Sequence, residues 1–81
     1  MDDDNIGKLV LLNDEVNQYD FVIKSLMDIC DFEELQAEQI TVLAHLNGKI
    51  TIKEGNIQQL TPIYRKLSKK GLILEIIGST N

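Results

Sequence analysis

The chain has 81 residues, 43% hydrophobic and 26% charged, the ordinary balance of one small globular domain. A domain of this size buries roughly 60–65% of the surface its unfolded chain exposes, which leaves room for one core and little else. The net charge is −5, divided as −9 over residues 1–40 and +4 over residues 41–81; so acidic a first half argues against nucleic acid as the main partner and leans toward cationic groups.

One cysteine, Cys30, cannot close an internal disulfide and fits a reducing compartment. The opening "MDDDNIG" has neither the positive start nor the apolar run of a secretory signal, and no apolar stretch is long enough to span a bilayer. A cytoplasmic protein without a membrane partner is expected.

In chain order, residues 1–7 read as a mobile acidic tail and residues 8–81 as a single domain. Lys8 to Leu12 is an apolar run suited to a buried strand. It ends on the polar knot Asn13-Asp14-Glu15. Asn17 is placed to cap a helix from about Gln18 to Cys30, with Asp20 at its third position and Val22, Leu26 and Ile29 as its core face. Asp31, with Glu34 three residues on, has the spacing of a capping box. The helix it would open carries Ile40, Leu43 and Leu46 as its apolar stripe and stops at Asn47-Gly48.

Lys49 to Ile52 alternates and is β-branched, which predicts a second strand, with "EGN" as the turn after it. A third helix holds Ile57, Leu60, Tyr64 and Leu67. Asn56 can cap it, or it can start at Thr61-Pro62, since proline costs about 3 kcal/mol deep in a helix but is at ease in its first position. "KKG" ends it, and Leu72 to Ile77 is the last strand. The order β-α-α-β-α-β predicts a two-layer α+β sandwich with the helices on one face of the sheet.

Few residues offer catalytic chemistry. Cys30 and His45 form the only Cys/His pair, and Ser25 and Ser68 have no motif around them. Asp14, Glu15 and His45 match no standard metal-ligand spacing. No glycine-rich phosphate loop is present. Arg65, Lys66, Lys69 and Lys70 sit at a helix end, where cations suit the negative end of the dipole better than they suit a nucleic acid. No enzyme, cofactor or metal is expected. His45, beside Leu43 and Leu46, reads either as a partly buried, hydrogen-bonded histidine or as part of a site.

The motifs "LLNDEVNQYDFVI" and "LQAEQITVLAHLNGK" resemble the ClpS family, adaptors that deliver N-end-rule substrates to a Clp ATPase. The matching residues are Asn13-Asp14-Glu15, Phe21-Val22, Ala37, Gln39, His45 and Gly48-Lys49. Lys53 to Gly55, Leu60 to Pro62 and Gly71-Leu72 are similar to a shorter branch that lacks the family's long N-terminal extension.

The resemblance implies the same sandwich, with a three-stranded antiparallel sheet and a likeness to the C-terminal domain of the ribosomal stalk protein. It implies a non-catalytic adaptor that holds a destabilising first residue (Leu, Phe, Tyr or Trp) of a substrate protein and brings it to a Clp-type AAA+ unfoldase. By position, Asn13, Glu15 and His45 would bind the α-amino group. Asp14 through its backbone, and Asn17, would hold the peptide. Tyr19, Val22, Thr41, Ala44 and Leu72 would line the side-chain pocket. Here Glu15 reaches one methylene further than the usual Asp, while Tyr19 and Thr41 stand where methionines are common. The alternative is a diverged interaction domain of this fold that does not read a free N-terminus.

Overall fold

A computed structural model of the protein describes residues 5–78. Three strands and three helices follow in the order β1 (Ile6–Leu12), α1 (Tyr19–Cys30), α2 (Glu34–Asn47), β2 (Lys49–Asn56), α3 (Ile57–Lys69) and β3 (Leu74–Gly78). The sheet is antiparallel in the order β2-β1-β3. This is the α+β sandwich expected from the residue pattern. The first strand starts earlier than expected, because Ile6 and Gly7 pair with Asn56 and Gly55. Of the expected tail, residues 1–4 lie outside the described residues.

Central β1 positions everything else. Leu9 and Leu11 turn toward the helices and join Leu74 and Ile52 of the flanking strands. Val22 and Leu26 of α1, Ala37 and Ala44 of α2, and Leu60 and Leu67 of α3 close over them. Leu9, Leu26 and Leu67 are wholly buried, each stabilising the fold by about 1.5–3 kcal/mol. A β-bulge interrupts the β1–β2 register: Leu9 pairs with Lys53 and Val10 with Thr51, which leaves Ile52 as the extra residue.

Four local expectations need correction. Asp31 does not cap α2; it takes the left-handed conformation (φ 62°) that terminates α1, and Glu33 is the N-cap of α2 without a side-chain bond. The short Asp side chain tolerates that conformation better than most. The core stripe of α2 is Ala37, Thr41 and Ala44 rather than Leu43 and Leu46, which are exposed. Small residues let the helix lie close to its neighbours, and the larger leucines turn outward. "EGN" is no turn, because β2 runs on through it to Asn56. The last strand begins at Leu74, and Leu72 belongs to the connection before it.

The two readings of the third helix are resolved in favour of Asn56. Its side chain accepts the Gln58 N–H at 2.9 Å, and Pro62 lies inside the helix. The missing proline N–H costs about 3 kcal/mol. Burial of Leu60 and Leu67 is of the size needed to offset it. The helix ends in a Schellman turn: Gly71 (φ 103°) donates to the Ser68 carbonyl at 2.9 Å, and Leu72 to the Leu67 carbonyl at 3.2 Å.

Candidate functional site

Four chain segments meet beyond the end of β1. The Leu12 N–H donates to the Ile73 carbonyl, and the Asn13 N–H donates to the Gly48 carbonyl, both at 2.9 Å. The strand end is thereby tied to the α3–β3 connection on one side and to the C-terminus of α2 on the other. Gly48 is left-handed (φ 87°), so α2 can stop with His45 in its last turn and still return its chain to Asn13.

The loop after Asn13 is organised by Asp14. One carboxylate oxygen accepts the Val16 N–H at 2.7 Å and the Asn17 N–H at 2.9 Å, and the other accepts the Asn17 side-chain amide at 2.6 Å. The same amide nitrogen donates to the Gly71 carbonyl at 2.9 Å. Asn17 is therefore not the cap of α1. Gln18 occupies that position without a side-chain bond, and Asn17 instead ties the loop to the end of α3. Partial burial is the largest single influence on Asp14 and raises its pKa. The three hydrogen bonds from Asn17 and Val16 together outweigh it and hold the carboxyl below its ordinary value.

These constraints enclose a hollow. Val22, Thr41, Ala44 and Leu72 line its apolar part, with Leu11 and Leu12 of β1 beneath. Asn13, Asp14, Asn17, Tyr19 and His45 complete the lining. The Tyr19 ring meets His45 edge to face, with centroids 5.7 Å apart and planes at 70°. Thr41 donates its hydroxyl to the Ala37 carbonyl at 2.8 Å, so its hydrogen is used within the helix. The hollow's free volume is about 20 Å3, enough for about one water molecule.

Nine of the ten residues singled out in the sequence thus border one hollow. The tenth, Glu15, is exposed on the bend and is not part of the lining. Leu11 and Leu12 were missed as lining. Their place at the apolar end of a strand was the available signal, but such a run does not tell floor from core. Asp14 was assigned through its backbone alone, whereas its side chain builds the loop.

Cys30 lies apart, half-buried at the end of α1; burial pushes its thiol pKa up, Lys53 opposes that and Asp31 adds to it. Among the described residues no group of three His, Cys, Asp or Glu side chains is placed to hold a metal. No helix there is long and apolar enough to cross a membrane.

An apolar hollow rimmed by amide, carboxylate and imidazole groups thus lies at one end of a three-stranded α+β sandwich. The family model described as ATP-dependent Clp protease adaptor protein ClpS matches residues 3–73. The chain belongs to the ClpS family, whose members are adaptors of that protease. Among solved structures it is similar to Agrobacterium tumefaciens ClpS2 bound to L-phenylalaninamide, with 17% identity, a TM-score of 0.89, and coverage of 94% of this chain and 99% of that one. At that identity the likeness concerns the fold. No curated protein sequence matches.

Proposed function

We propose that the hollow receives the first residue of a substrate protein, with a bulky side chain such as Leu, Phe, Tyr or Trp, and that the chain presents this substrate to a Clp-type AAA+ unfoldase. The observation that carries the reading is the meeting of Asn13, Asp14 and His45 with Val22, Ala44 and Leu72 around one opening. An α-amino group is a cation bearing several N–H donors. It needs oxygen and imidazole acceptors at the rim, and its side chain needs an apolar hole behind them. The phenylalaninamide bound to the Agrobacterium protein has both parts, a free amine and a benzyl group, which supports the reading.

Two movements belong to the mechanism. Space for about one water is too little for a leucine or phenylalanine side chain. Tyr19 is 42% exposed at the mouth and packs only edge to face on His45, so its ring swings aside as the ligand enters. Glu15, exposed on the bend, turns inward to meet the ammonium. Asn13 accepts one N–H and His45 another. Asn17, its amide nitrogen used by Asp14 and Gly71, offers its carbonyl oxygen to the peptide backbone.

The test is a titration with labelled peptides beginning in Leu or Phe, their N-acetylated forms, and a Met-initiated control. Tight binding of the free Leu and Phe peptides, lost on acetylation, is expected. Equal binding of free and acetylated peptides would instead mark a diverged docking domain that ignores the terminus. Delivery is checked separately, by the rate at which a purified Clp unfoldase and protease degrade a Leu-initiated substrate with and without the chain.

A further inference from the structure

α2 is apolar on two opposite sides. Successive helix residues advance by about 100°, so Ala37, Thr41 and Ala44 face the core while Leu35, Gln39, Val42 and Leu46 form a straight ridge on the far side. Leu35 is 66% exposed and Leu46 70%, with Val42 and Leu43 exposed beside them. Single exposed leucines are unremarkable. An aliphatic ridge interrupted only by Gln39 along the length of a helix marks a surface that something covers.

Charge identifies the occupant. The ridge has one acidic flank, the α1–α2 groove, where Asp20, Glu34 and Glu38 gather with Lys24 as the one cation. Its other flank carries the neutral Gln36 and Asn47. Across α1, α2 and their connection, residues 19–47 hold six acidic side chains and one lysine. A second copy packed antiparallel and two-fold on this ridge would press acidic flank against acidic flank, and an anionic bilayer would be repelled. A basic apolar helix meets both the ridge and the flank.

We infer that the outward ridge of α2 docks an amphipathic helix of a protein partner, with aliphatic residues at helical spacing and Lys or Arg along the edge that faces the α1–α2 groove. This surface is separate from the hollow. Leu46 follows His45, so a helix on the ridge would lie beside the opening without filling it.

The experiment titrates the isotope-labelled full chain with a synthetic Leu/Lys amphipathic helix of about fifteen residues, long enough to span α2. Controls are a scrambled peptide of the same composition and a Leu/Glu helix. The Leu/Lys helix is expected to shift the amide resonances of Leu35, Val42 and Leu46 and to bind at least about tenfold tighter than either control. Leu35→Gln with Leu46→Gln is expected to weaken it about tenfold. Glu34→Gln with Glu38→Gln should weaken it at low salt and flatten its salt dependence. All four positions are exposed, and a melting curve matching the parent confirms that each variant is folded. Equal binding by the scrambled peptide, affinity unchanged by the substitutions, or shifts mapping elsewhere would overturn the inference. Ridge resonances that move with protein concentration in the absence of peptide would also overturn it, in favour of a second copy.

Discussion

Two asparagines stand at the approaches to helices in this chain, and they do opposite work. Asn56 precedes α3 and caps it, its side chain accepting the Gln58 N–H. Asn17 lies just before α1 and leaves that helix without a side-chain cap; its amide nitrogen is given to Asp14 and to the distant Gly71. Asn56 serves its own helix, which is a structural role complete within a few residues. Asn17 forgoes about 1 kcal/mol of local capping to fix a loop against another part of the fold. A polar group that joins its own loop to a remote carbonyl marks a place where shape is being held for something else.

The comparison breaks most sharply at the residue Asn17 helps to surround. His45 is exposed in the last turn of α2, so His45→Ala should leave the melting temperature nearly unchanged. Affinity for a Leu-initiated peptide should fall by roughly 10–100-fold, the value of a hydrogen bond to a charged group. Affinity unchanged by His45→Ala would remove His45 from the acceptor role.

Asn17→Ala comes next. It removes both amide donations and should cost about 1–2 kcal/mol in stability together with a several-fold loss of peptide affinity, read by thermal melting and the same titration. Asn56→Ala should cost about 1 kcal/mol, or roughly 4–8 °C in a domain of this size, and leave affinity alone. If the two variants behave alike in both assays, the distinction between a cap and a site tether fails.

Much of the architecture is legible in the residues because local rules agree with tertiary need. Gly48 and Gly71 mark helix ends in the sequence and adopt positive φ there. Asn56 caps as its type predicts. The sequence misleads where a side chain has two uses. Asp31 looked like the start of α2, and only the backbone shows that it closes α1. Leu43 and Leu46 looked like core because hydrophobic periodicity does not say which of two apolar faces points inward; the burial of alanine settles it. In the hollow, Asn13, Asp14 and His45 were found through the family motif, since their meeting depends on the Asn13–Gly48 bond, which no spacing rule encodes. Glu15 shared that motif and still lies outside the lining, because motif register fixes a backbone position and not a side-chain direction.

The smallest effect concerns the loop's own carboxylate. Asp14 is held below its ordinary value of 3.8 by the hydrogen bonds it accepts, despite the opposing effect of partial burial. The unfolded chain therefore binds a proton at a higher pH than the folded one does. Asp14 then contributes stability that is fully present above the ordinary carboxylate value and is lost as pH falls through the lowered folded value. Asp14→Asn keeps one oxygen for the Val16 and Asn17 N–H groups, removes the charge, and sets an amide donor against the Asn17 side-chain amide. The gap in melting temperature between parent and variant should thus be widest near neutral pH and narrow as pH falls below the ordinary value of 3.8. A gap that stays constant well below that pH would mean that the loop is held by shape alone, and that the Asn17 tether does not need an anion beneath it.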